Sequence, residues 1–197
     1  MKNLLTGLLV ATSFAIPFLP SPLAPAPRTQ PPTPAVMIQK QKITPFLWFD
    51  QNAEEAVRFY TPIFKDSKVL SESRWGDGGP VPKGTLMTAK FQLAGQEFLA
   101  LNGGPRFRFT EAISLVVHCE SQQEIDVLWE KLIAGGGAPG QCGWLKDKFG
   151  LSWQVVPTAL GDLLGDKEPA KAGRVGAALL KMSKIDLATL QKAHAGQ

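Results

Sequence analysis

Residues 43–64, ITPFLWFDQNAEEAVRFYTPIF, and residues 113–133, ISLVVHCESQQEIDVLWEKLI, follow one plan: an apolar strand, a polar break and an amphipathic helix. The two copies stand about seventy residues apart and each is followed by further strand-like runs, so one supersecondary unit occurs twice. In the first unit a strand over 42–49 runs into Asp50-Gln51-Asn52, whose side-chain oxygens suit a helix N-cap. Ala56, Phe59, Tyr60 and Ile63 then share a face of a helix over 53–64, disturbed in its last turn by Pro62. Strands over 67–75, 85–93 and 97–102 follow, with hairpin turns at GDGG (76–79) and Ala94-Gly95-Gln96. The second unit repeats the order with a strand over 113–119, a cap at Ser121 and a helix over 122–134 that Gly135-Gly136-Gly137 ends. Short strands over 138–142, 144–147 and 151–156 complete it. The order β-α-β-β-β, twice, predicts an α+β fold.

Beyond Pro157 the pattern is helical, over 171–182 and 184–194, with Val175, Ala178, Leu179 and Met182 in one stripe. That stripe predicts a C-terminal helical extension, residues 158–197, docked on the domain or on a second subunit. It lacks the dense basic face of a membrane-surface helix.

The chain has 197 residues, of which 44% are hydrophobic, enough for a substantial core. Its net charge is +4; Lys2 and Arg28 contribute two of those charges in residues 1–36, which contain no acid. The remainder is nearly neutral and carries no clustered basic face, which argues against nucleic acid as a partner. Cys119 and Cys142 have no zinc-type spacing; they could pair only if their strands are neighbours, and otherwise read as two reduced thiols.

Residues 1–19 resemble a short secretory signal, too interrupted to predict a stable membrane anchor. Eight of the sixteen prolines fall in residues 17–36, a linker composition. Two readings follow: export, if residues 1–36 are a signal and linker, or a cytoplasmic protein, if translation starts at Met37 just before the first strand.

Taken together, ITPFLWFDQNAEEAVRFY, LNGGPRFRFTEAIS, CGWLKDKFGLSWQVVP and KMSKIDLATL resemble the PhnB-like branch of the glyoxalase/bleomycin-resistance/dioxygenase, or vicinal oxygen chelate, superfamily. The resemblance covers residues 42 to the C-terminus. It implies two βαβββ modules, 42–104 and 112–157, forming a curved mixed sheet around a cleft, in a homodimer. Members of this branch are often labelled 3-demethylubiquinone-9 3-methyltransferase. A Rossmann-type methyltransferase would place a glycine-rich turn after its first strand, whereas here that strand runs into DQNAEE and GGGAPG follows a helix.

In metal-using members of the superfamily, His and Glu ligands come from the first and last strands of each module. The comparable positions here offer Thr44 to Phe46, Leu101 to Asn102, Ile113 to Leu115 and Trp153 to Val155. A divalent ion held by Gln154, Asn102 and the distant His118 would be weakly bound, so no metal ligands are assigned and no cofactor is expected. His118 reads as a structural donor and His194 as a residue of the terminal helix.

Trp129 falls at core spacing with Ile125, Leu128 and Leu132. Trp48, Trp75, Trp144 and Trp153 are the cleft candidates, with Asn102, His118, Lys146 and Gln154 as polar neighbours, and this set suits an aromatic or hydrophobic small molecule. Lys146-Asp147-Lys148 reads as a solvated hairpin tip. Arg106 and Arg108 alternate with Phe107 and Phe109, a pattern fitting an anion clamp or a soluble strand edge. No catalytic residue is assigned; metal-assisted lyase, isomerase or dioxygenase chemistry is the alternative to simple binding.

Overall fold

The computed structural model describes residues 41–197; the signal-like segment, the proline-rich linker and the Met37 start lie outside the described residues. The first repeat becomes β1 (Phe46–Phe49), α1 (Ala53–Tyr60), β2 (Lys68–Arg74), β3 (Leu86–Leu93) and β4 (Gln96–Asn102). The second becomes β5 (Ser114–Cys119), α2 (Gln122–Ile133), β6 (Ala138–Pro139), β7 (Trp144–Lys146) and β8 (Ser152–Pro157). Three helices follow: α3 (Leu160–Leu164), α4 (Pro169–Leu179) and α5 (Leu187–Ala195).

The strands form two four-stranded mixed sheets of matching order, β1-β4-β3-β2 and β5-β8-β7-β6. In each, the first strand lies parallel to the last, and the other pairings are antiparallel. One face of each sheet is packed and the other is open, as period-two alternation requires. Leu47, Phe49, Ala89, Phe91, Phe98 and Ala100 supply the packed face of the first sheet; Trp153, Val155 and Leu145 supply that of the second. Both faces belong to one core with Ala56, Val57 and Tyr60 of α1 and Ile125, Leu128, Trp129 and Leu132 of α2.

Two of the features that begin and end the helices differ from the sequence reading. Helix α1 stops at Tyr60 rather than near Phe64, because Pro62 has no N–H for a further turn. Its cap is not supplied by Asp50 to Asn52: the Ala53 N–H donates instead to Asn102 Oδ1, 2.8 Å away at the end of β4. For α2, Ser121 Oγ accepts from the Glu124 N–H and the Glu124 carboxylate accepts from the Glu120 N–H, a reciprocal arrangement close to a capping box. The turn between β3 and β4 is Ala94-Gly95, both with positive φ, 46° and 82°, as a two-residue hairpin with native twist requires.

The charged tip expected at Lys146 to Lys148 is not a solvated hairpin. Asp147 is 3% exposed and accepts four hydrogen bonds, from Tyr60 Oη–H (2.6 Å), Trp153 Nε1–H (2.8 Å), Phe149 N–H (2.9 Å) and Leu151 N–H (3.1 Å). Lys148 turns outward to Glu55 of α1, 2.5 Å away. One carboxylate thus ties α1 of the first repeat to the β7–β8 connection of the second.

Helices α4 and α5 are one to three residues offset from the expected spans, and the short α3 was not anticipated. They form their own small cluster, Val175, Ile185 and Leu190 around Val156 of β8. Met182 and Ser183 carbonyls accept from the Cys142 and Gly143 N–H groups, while Gln122 of α2 donates to the Ile185 carbonyl and accepts from the Leu187 N–H. No helix among the described residues is long and apolar enough to cross a membrane. Cys119 and Cys142 are separate thiols, and burial pushes that of Cys119 up to about 12.

Candidate functional site

Register decides which side chains share the open face of the second sheet. Gln154 lies opposite Trp144 on one side and Val116 on the other, and Ser152 lies between Ser114 and Lys146. Paired residues on neighbouring strands project to the same side. Ser114, Val116, Trp144, Lys146, Ser152 and Gln154 are therefore one surface, with His118 at its far end, and of the eight sequence candidates Trp144, Lys146 and Gln154 meet at its middle.

Gln154 Nε2 donates to Ser114 Oγ at 2.9 Å. These two side chains stand on the last and first strands of the second repeat, the strands from which the superfamily resemblance draws metal ligands. Both are neutral, and their counterparts on the open face of the first sheet are the apolar Phe46 and Trp48 on β1 with Leu99 and Leu101 on β4. Among the described residues no three His, Cys, Asp or Glu side chains converge. A hydroxyl and an amide, both neutral and already satisfying each other, do not fit a divalent ion.

Beside this pair a hollow of about 280 Å³ opens between Trp144, Lys146, Pro139, Glu111 and Ser152. Ser152 is 1% exposed and its Oγ has no hydrogen-bond partner. Lys146 Nζ pairs with the Glu111 carboxylate at the rim, and that hydrogen bond holds the Glu111 carboxyl below its ordinary range. The hollow thus has an aromatic wall, a pair of opposite charges at its rim and, in its lining, a serine whose hydroxyl is buried without a partner. The sequence reading missed Ser114, Ser152 and Glu111. Parity would have found the two serines, since Ser152 is two residues before Gln154 on the same strand.

The remaining candidates lie away from that middle. Trp153 points to the packed face, 2% exposed, stacked on Phe64 at 5.5 Å between centroids. Asn102 is occupied on both sides, capping α1 and donating from Nδ2 to the Leu86 carbonyl at 2.9 Å. Trp75 follows β2 and covers Gly79. His118 is exposed at the far end of β5, bordering a broad groove of about 850 Å³ with Ile63, Phe64 and Val127. Trp48 lies on the open face of the first sheet. Its Nε1–H donates to the Gly104 carbonyl at 2.9 Å, and its ring lies where a Cβ on Gly103 would come within 2.3 Å. Arg74 is engaged by Glu54 and Glu72, and Arg106 lies 5.3 Å over the Phe107 ring. Residues 103–113 contain no strand.

Buried polar groups are perturbed at Asp147, away from the open face. Burial pushes its carboxyl up, against the lowering effect of its donors, and burial followed by the Asp147 charge raises the Tyr60 hydroxyl well above its ordinary value. The pair is enclosed by the core and serves structure.

A family model described as 3-demethylubiquinone-9 3-methyltransferase matches residues 41–156. A PhnB protein from Bacillus cereus has a similar structure at 43% identity and TM-score 0.56, over 60% of this chain and 100% of that one. A Pseudomonas aeruginosa protein follows at 23% identity and TM-score 0.50, over 60% of this chain and 98% of the other. A glyoxylase/bleomycin resistance protein/dioxygenase domain from Frankia sp. is 20% identical, with TM-score 0.40, over 60% and 93% of the two chains. No curated protein matches. With the match over residues 41–156 and the likeness to the PhnB protein, the chain belongs to the PhnB-like, 3-demethylubiquinone-9 3-methyltransferase family.

Proposed function

We propose that this protein binds a small aromatic or hydrophobic molecule carrying a hydrogen-bond acceptor, on the open face of the second sheet, and that it does so as a homodimer. The observation that carries the reading is the Ser152 hydroxyl, buried without a partner beside Trp144. A buried hydroxyl left unpaired costs about 1–3 kcal/mol, a cost that a ligand acceptor would recover on binding. Trp144 gives the ligand a flat wall, and the Gln154–Ser114 pair gives it a neutral polar edge.

The second copy is favoured by apolar exposure on the same faces. Phe46 is 57% and Val116 46% exposed, on the open faces of the first and second sheets respectively. Large apolar side chains exposed on both open faces suit burial against a second copy. A second copy placing Phe46 and Trp48 over Trp144 and Val116 would cover both and enclose the ligand.

The reading assigns no methyl transfer: β1 leads into Asp50-Gln51-Asn52 and two mixed sheets, without the glycine turn and parallel sheet that hold an adenosyl cofactor. The test is titration with the aromatic probe 1-anilinonaphthalene-8-sulfonate. Saturable binding that weakens about tenfold in Trp144→Ala and is unchanged in Trp75→Phe supports the site; equal binding by the parent and Trp144→Ala overturns it.

A further inference from the structure

A second cavity, of about 320 Å³, lies at the C-terminal end of β1, where the connection between the two repeats passes the β7–β8 turn. It is at the small end of ligand-pocket volumes. Its walls are aromatic and fixed in place. Trp48 is held by its hydrogen bond to Gly104 and by an edge-to-face contact with Phe107 at 5.0 Å. Phe149 is braced edge-on by Phe49 at 6.0 Å and by Tyr60 at 5.8 Å.

Three polar side chains border the same space, Asp50, Asn52 and Arg108. None of them makes a side-chain hydrogen bond or ion pair among the described residues, although Asp50 and Arg108 carry opposite charges at one cavity. This contrasts with Arg58, Arg74, Lys90, Lys146 and Lys148, each of which is paired. The two charges therefore border one aromatic-walled space without pairing with each other, with an amide that can donate or accept beside them.

We infer that this cavity is a second binding site, distinct from the Ser152 hollow, for a small zwitterion with an aromatic or apolar body. The ligand's carboxylate meets the Arg108 guanidinium, its ammonium meets Asp50, and its body lies against Trp48 and Phe107. Charge-assisted hydrogen bonds at both ends give the selectivity, since a ligand with one charge makes only one of the two.

The test is calorimetric titration of the full chain with L-phenylalanine, phenylacetate and 2-phenylethylamine. L-Phenylalanine is expected to bind saturably, with each singly charged analogue at least about tenfold weaker. Asp50→Asn should remove the preference over phenylacetate, and Arg108→Gln the preference over 2-phenylethylamine. Both positions are solvent-facing, and unchanged melting temperatures would show that the variants keep the fold. Phenylacetate binding as tightly as L-phenylalanine, or no saturable heat from L-phenylalanine up to about 10 mM, overturns the inference on the unmodified protein alone.

Discussion

Asp147 collects four donors in the core, and two of them, the Tyr60 hydroxyl and the Trp153 indole, approach the same oxygen. An amide in its place can accept with one atom only and turns an NH2 group toward those two donors. Asp147→Asn should therefore destabilise the protein by about 2–3 kcal/mol in urea unfolding, and Tyr60→Phe by about 1 kcal/mol. Equal, small effects would show that the cluster is not what joins the repeats. The folded carboxyl is raised above its unfolded value, so its contribution runs opposite to that of the surface acids: it is favourable at low pH and is lost as pH rises through the folded value. Gly103 is the second residue whose identity is set by a neighbour. A methyl group there would overlap the Trp48 indole, so Gly103→Ala should displace the ring and shift its fluorescence, at a cost of about 1–3 kcal/mol. An unchanged emission spectrum would mean that the ring is not held by this contact.

The C-terminal helices are joined to the second repeat by the apolar cluster around Val156 and by polar contacts to α2. Gln122 makes two hydrogen bonds to the backbone at 185–187, Lys184 pairs with Asp126, and Asp186 caps α5 by accepting from the Thr189 N–H at 2.6 Å. Asp126 is held below its ordinary value first by Lys184, and Asp186 first by the Thr189 N–H. A lowered folded value means stability that is present above the unfolded value, about 4, and lost as pH falls through the folded one. Acidification below about pH 4 should loosen α5 before the sheets, read as earlier amide exchange at 187–195 than at 152–157. Simultaneous loss would contradict a separately held element. Gln122→Ala should give the same local loosening at neutral pH. At this scale much of the fold was legible from sequence, because the repeats carry intact strand and helix periods and Ser121 and the 135–137 glycines mark ends chemically. The cap of α1 was not, since Asn102 is far away in sequence. Nor was the face of each tryptophan, because one residue of register separates Trp153 in the core from Gln154 on the open face. The run CGWLKDKFG carries family identity through structure, with Cys142, Gly143 and Gly150 at positive φ and Asp147 in the core, so its specificity gave no chemistry away.

For the whole molecule, the open faces set the expectations. Residues Phe46 and Val116 belong to different sheets yet both present apolar surface, which a second copy would bury. Light scattering of the protein should give twice the chain mass, and Phe46→Glu should yield a monomer with unchanged circular dichroism; a parent that is monomeric at all accessible concentrations would contradict the assembly. The central claim is that the second sheet keeps a polar group unsatisfied for a ligand to engage, and it is tested most directly by Ser152→Ala, followed for stability and for probe binding in one preparation. The account predicts opposite signs: the free protein gains about 1 kcal/mol because an unpaired buried hydroxyl is gone, while 1-anilinonaphthalene-8-sulfonate binds about tenfold more weakly. A variant that is less stable and binds the probe as tightly as the parent would show that the hydroxyl serves the fold, and would contradict the claim.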